Sequence, residues 1–189
     1  MIWSPGGDVA LLRTSATFSS QYLCDFIPDG GRVLIQPVYK GMYERFEPRP
    51  ATPAARRDLI IRHAQDLSRT LDYLETREDI DARRVAYYGF SSGANLGPVF
   101  TAVEPRFAAS ILLAGGVTPA EFRPESHPLV FAPRVRTPTL MINGLDDFMF
   151  SYELSQRPLF DMLGPTAGAK RHARPGRRSE RMSPLRAQR

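Results

Sequence analysis

The stretch Val85-Ala86-Tyr87-Tyr88-Gly89-Phe90-Ser91-Ser92-Gly93-Ala94-Asn95-Leu96 constrains the fold more than any other part of this chain. Strand-forming residues run straight into Gly-x-Ser-x-Gly, and small residues suited to a helix start follow. A serine on so sharp a strand-to-helix turn holds a strained backbone conformation, tolerable only if the residues two before and two after it lack bulk. Gly89 and Gly93 meet that need. The pattern is that of a nucleophile elbow, which lifts the Ser91 hydroxyl clear of a sheet and points the Ser92 N–H at a forming oxyanion. The competing interpretation is a plain glycine-rich turn, and the surrounding elements decide between the two.

Those elements alternate. Met1 to Ser4 reads as a strand and is followed at once by Pro5-Gly6-Gly7-Asp8, a loop whose bare backbone N–H groups can approach a ligand closely. Thr17 to Ile27 has helical spacing, with Phe18, Tyr22 and Phe26 on one face. Arg32 to Val38 carries the unbroken apolar run Val33-Leu34-Ile35, which suits a strand covered on both faces. A long connection, Tyr39 to Arg57, contains Pro48, Pro50 and Pro53; Asp58 to Arg77 then gives the clearest amphipathic helix, striped by Ile60, His63, Leu67, Leu71 and Leu74. Arg84 to Tyr88 is the strand before the elbow, and the helix behind Ser91 runs to about Val103. Further strands are expected at Ala108 to Ala114 and Pro138 to Asn143, around an irregular proline-rich segment, Val117 to Thr137. Ser155 to Leu163 closes the series as a helix. Strand and helix alternate throughout, so the expected fold is α/β, with a mainly parallel sheet and helices on both faces.

Length and composition set limits. The 189 residues fit one domain with a real core. The longest apolar run, Ala108 to Val117, falls short of the roughly 18 to 20 residues of a membrane helix. Met1 to Gly7 lacks the basic segment and apolar stretch of a signal peptide, and Cys24 is the only cysteine, so a cytoplasmic location is expected. The net charge of +5 comes from the tail: from Gly164 onward eight basic residues face Glu180 alone, which leaves the first 163 residues at −2. A basic surface for nucleic acid on the folded part therefore has no support. The tail has no aromatic residue on which a base could stack. Rich in Arg, Pro, Gly, Ala and Ser, with no apolar period, Gly164 to Arg189 is expected to be disordered, and the domain to end at Leu163.

An activated serine needs a base to take its proton and an acid to orient that base. In hydrolases of this architecture the chain order is nucleophile, acid, histidine. Ser91 supplies the first; Gly144-Leu145-Asp146-Asp147, on the end of a late strand, offers two carboxylates, of which Asp147 is favoured. The base is the difficulty. His63 lies on a helix stripe and reads as a packed or capped residue, and His127 reads as an exposed loop residue; both precede the acid. His172 alone has the right order, yet it stands among Lys170, Arg171 and Arg174 with no apparent strand to hold it, which argues against it as the base. No His, Cys or carboxylate cluster suggests a metal, and no cofactor is expected.

The stretch from Tyr39-Lys40-Gly41 through Asp66 to Arg77 and on to Tyr87-Tyr88-Gly89-Phe90-Ser91-Ser92-Gly93 resembles the α/β-hydrolase superfamily. It is closest to the dienelactone hydrolase and prolyl-oligopeptidase-like branch, bacterial members of which are sometimes fused behind a serine/threonine kinase. The similarity covers about residues 1 to 163. Pro133 to Gly144 is similar to the family's penultimate strand, which places the acid at Asp147, and the family's oxyanion loop falls on Pro5-Gly6-Gly7. The resemblance implies an acyl-Ser91 mechanism on a small-molecule ester or a peptide, with the Ser92 and Gly7 N–H groups receiving the oxyanion. Two departures are visible. The chain opens inside the oxyanion strand, and where relatives carry a last strand, a Gly-Gly-His-like segment and a closing helix, it turns to arginine and proline after Lys170-Arg171-His172. Truncation at both ends, with a tail read out of frame or belonging to a decayed gene, is the expectation that follows.

Impaired activity is therefore expected of a serine hydrolase-like domain. The alternative is a non-catalytic remnant or interaction module with a basic tail. Neither a Gly-rich phosphate loop nor His-Arg-Asp or Asp-Phe-Gly occurs, which excludes a kinase. Substrate and oligomeric state leave no mark on the sequence.

Overall fold

Five parallel strands in the spatial order of the chain form the centre of the molecule; the computed structural model describes residues 1–16, 23–120 and 122–174. The elements are β1 (Ile2–Ser4), α1 (Phe26–Asp29), α2 (Pro53–Glu75), β2 (Ala86–Phe90), α3 (Ser92–Val103), β3 (Ala109–Leu113), α4 (Pro128–Phe131), β4 (Thr139–Ile142), α5 (Arg157–Met162) and β5 (Lys170–Ala173). Strand side chains alternate between two apolar layers, as the period of two requires. Ile2, Tyr87, Leu112 and Met141 join Ile60, Leu67, Leu71, Phe100 and Leu159 in the larger core; Trp3 and Tyr88 meet Cys24 and Ile27 on the opposite face. The α/β class and the parallel sheet stand as the sequence implies.

Helix α2 begins five residues before the expected Asp58. Thr52 is its N-cap, accepting a hydrogen bond at Oγ1 from the Ala55 N–H (3.1 Å), and Pro53 fills the first turn, where a missing N–H costs nothing. Its buried stripe is Ile60, His63, Leu67, Leu71 and Leu74, each three or four residues from the next.

Three expectations change. Arg32 to Val38 makes no strand, only a single parallel bridge between Ile35 and Ile2 on the outer edge of β1, and Val33 is half exposed. An edge position leaves one side of the run open, so an unbroken apolar stretch here does not signal burial on both faces. Of the helix expected over Thr17 to Ile27, residues 17–22 lie outside the described residues; the rest is a turn leading into α1. The sheet also continues past Leu163. Strand β5 pairs with β4 in the register Thr139↔Lys170 to Ile142↔Ala173. The Lys170 ammonium explains how so polar a segment docks: it donates to the carbonyls of Phe160 (3.0 Å), Asp161 (3.2 Å) and Leu163 (2.8 Å), the free C-terminal end of α5. Residues 175–189 of the basic tail lie outside the described residues. No helix among the described residues is long and apolar enough to cross a membrane.

Candidate functional site

Ser91 joins β2 to α3 with φ 50° and ψ −107°, outside the regions that L-residues ordinarily occupy. The surroundings fix that conformation from several sides. The Ser91 N–H donates to the Leu113 carbonyl (2.9 Å), and its own carbonyl accepts the first backbone bond of α3, from Asn95 (2.9 Å). The Gly93 N–H donates to the Pro5 carbonyl (3.1 Å), while the Tyr87 hydroxyl, fully buried beneath the turn, donates to the Gly93 carbonyl (2.6 Å). Both glycines are sterically required. A Cβ on Gly93 would run into the Ser4 carbonyl oxygen, and one on Gly89 would stand 2.6 Å from the Gly93 carbonyl. Ser91 itself is partly exposed, and among the described residues its hydroxyl has no hydrogen-bond partner.

The loop after β1 lies against this turn. Gly7 opens a 3-10 turn, Gly7–Leu11, and a Cβ on it would stand 3.7 Å from the Ser92 Cβ. Gly7 and Ser92, which lead two helical segments, the 3-10 turn and α3, therefore lie next to each other, and each carries a leading N–H group. Such leading N–H groups have no partner inside their own segment.

The acid loop is built differently. Asp147 accepts at Oδ1 from the N–H groups of Met149 and Phe150 (2.9 Å each), a local turn of the kind Asp favours. Asp146 is exposed. From inside, the fully buried Gln156 bridges the loop, its Nε2 donating to the carbonyls of Phe150 (2.6 Å) and Gly144 (3.2 Å). Its outer surface is open: Phe148 is 93% and Leu154 83% exposed.

Each of the three histidines is committed elsewhere. His63 Nε2 meets the Lys40 carbonyl at 2.7 Å in the core, and burial holds its pKa below the ordinary 6.5. His127, expected as a loop residue, is the N-cap of α4: its Nδ1 accepts from the Leu129 N–H at 3.1 Å. His172 lies inside β5, which corrects the expectation that no strand holds it. Its Nε2 meets Asn143 Oδ1 at 3.1 Å, and its ring packs on Phe160, with centroids 5.1 Å apart. Burial, and then the nearby Arg174 charge, lower its pKa. Paired registers set His172 level with Met141, Leu112 and Gly89. Three inter-strand spacings, about 14 Å, therefore separate β5 from β2. The structure brings Ser91, Ser92 and Gly7 together and leaves His172 apart from them.

Two buried asparagines complete the carboxyl edge of the sheet, and the sequence reading assigned them nothing. Asn95 Nδ2 donates to the Gly116 carbonyl (2.6 Å), and Asn143 Nδ2 donates to the Gly115 carbonyl (2.8 Å). Asn95 falls within the opening motif, so its position four residues after Ser91 was a usable signal; Asn143 gave none.

No protein-family model matches the chain, and no curated protein matches it. Solved structures do. A cold-adapted esterase from an Arctic intertidal metagenomic library, with polyethylene glycol bound, superposes with a TM-score of 0.67 at 20% identity, over 93% of this chain and 72% of that one. A Klebsiella pneumoniae protein described as a dienelactone hydrolase gives 0.65 at 18%, over 93% and 71%. Est1E from Butyrivibrio proteoclasticus, solved with ferulic acid, gives 0.66 at 13%, over 93% and 78%. The chain has the α/β-hydrolase fold.

Proposed function

We propose that this domain is a serine hydrolase of the esterase type whose site retains the nucleophile and the oxyanion donors but works without a positioned histidine. One observation carries the reading: a serine in a left-handed conformation, partly exposed at the carboxyl end of a central parallel strand, with glycines required on both sides. Ligands of such sheets bind at that edge, and non-glycine strain of this kind persists where its surroundings over-determine it. The esterases that superpose on the chain are consistent with the same chemistry.

In this mechanism Ser91 Oγ attacks the carbonyl carbon of a small ester, and the oxygen gains charge between the Ser92 and Gly7 N–H groups. The C–O bond to the leaving alcohol then breaks, the alcohol takes up a proton, and water later releases the acid from the acyl-serine. Asp147 takes the acid role by its place in the chain order, although its Oδ1 is already engaged by the Met149 and Phe150 N–H groups. With His63, His127 and His172 each engaged elsewhere, the serine proton passes to solvent, and the rate falls by several orders of magnitude relative to an intact triad.

A fluorophosphonate probe tests this reading. Slow labelling that disappears in Ser91→Ala, and that speeds up when free imidazole is added as an external base, is the expected result. Labelling that persists in Ser91→Ala, or none at all over hours, defeats the reading.

A further inference from the structure

The turn at Ser91 has a twin. Ala114, directly after β3, also takes φ 50°, so two neighbouring strands end in left-handed non-glycine residues side by side. Single residues of this kind are strained and persist only under external restraint. The two turns are tied where they meet: the Ser91 N–H reaches the Leu113 carbonyl, and a Cβ on Gly115 would collide with Ala94 in the first turn of α3.

One side chain spans both. Asn95 is 4% exposed; its backbone N–H bonds the Ser91 carbonyl, and its side-chain amide bonds the Gly116 carbonyl at 2.6 Å. Asn143 holds the adjoining Gly115 carbonyl from the β4 side and accepts from His172 in β5. Gly116 is hemmed in on its other side, where a Cβ would collide with the Ser155 hydroxyl and crowd the Phe150 ring. We infer that Asn95 is the positioning residue of this site: it locks the Ala114–Gly116 main chain to the Ser91 turn, so that the hydroxyl and the wall beside it keep one fixed relation. The inference deepens the esterase reading and rests on it for its catalytic meaning, whereas the coupling between the two turns stands on geometry alone.

The amide is the specific requirement. Asp at position 95 keeps the shape but replaces the donor with a charged acceptor facing the Gly116 carbonyl, and Ala removes both. A displacement of about 1 Å at a reacting group is enough to cost up to a hundredfold in rate.

The experiment compares wild type, Ser91→Ala, Asn95→Ala and Asn95→Asp by two readouts. The first is the second-order rate of fluorophosphonate labelling per folded molecule. Both Asn95 variants are expected to label at least about tenfold more slowly, with circular dichroism unchanged; rates equal to wild type overturn the positioning role. The second readout is amide hydrogen exchange by peptide. Exchange over 89–96 and 110–117 is expected to accelerate together in both variants while α2 stays as protected as in wild type. Uniform acceleration through α2 marks a merely structural asparagine and overturns the proposal, as does no change in either segment. If wild type fails to label, the esterase reading falls, and the exchange pattern still decides whether Asn95 couples the two turns.

Discussion

The two sides of the candidate site are made to different standards. Around Ser91 the chain is over-determined: two glycines with no room for a methyl group, a buried tyrosine hydroxyl below, an asparagine amide beside, and a second left-handed turn in register. Around Asp147 the loop satisfies itself. Its carboxylate is used by its own next residues, and of its apolar side chains Leu145, Phe148 and Met149 face outward while Phe150 alone is buried. The strain at the Ser91 turn persists because neighbouring elements share in holding it. A carboxylate that only caps its own turn needs no such support, and nothing in the loop draws an imidazole toward it.

That contrast can be broken or sharpened by substitution. Gly93→Ala should have the largest effect, a loss of roughly 3–5 kcal/mol or failure to fold, because the new methyl meets the Ser4 carbonyl rather than a movable side chain. Urea unfolding measures it; a loss below about 1 kcal/mol would show the turn to be pliable. Asp147→Ala should cost only about 1 kcal/mol, the usual value of a lost cap. Equal losses at the two sites would erase the distinction. Ser91→Gly should raise stability by about 1 kcal/mol relative to Ser91→Ala, since only glycine relieves a φ of 50° without strain.

The smallest effect is a pH dependence. Burial lowers the pKa of both His63 and His172 from 6.5, so the unfolded chain binds protons that the folded one refuses. Burial lowers the Met1 amino group from 8.0 in the same way, so stability should fall as the pH drops through 8 and fall further through 6.5, a sign set by the excess of protons bound in the unfolded state. The carboxylates Asp72 and Glu104, whose pKa values fall below 3.8 and 4.5 through hydrogen bonds from Arg106, act only at lower pH. Urea midpoints between pH 5 and 8 check the sign, and a rise toward acid would reverse it.

Much of this arrangement was legible in the residues. The opening motif gave β2, the turn and α3, whose end at Val103 was read correctly, because glycine spacing and helical period are local signals. The apolar runs gave β3 and β4 to within a residue at each end. What escaped was held by partners distant in sequence. Lys170-Arg171-His172-Ala173 has no apolar pattern, and its strand depends on the end of α5 and on Asn143. Thr52-Pro53 carried a helix-start signal that its proline-rich surroundings obscured. The role of Asn143 lay in a contact to Gly115, 28 positions away, which no period could reveal.

The Lys170 ammonium, inserted among three carbonyls, has a mechanical consequence. It rivets the outermost strand to the preceding helix, so neither can leave alone. Under force applied at the C-terminal end, the segment from Arg157 to Ala173 should come away as a single unit, exposing the flank of β4 while the Ser91 half of the sheet stays intact.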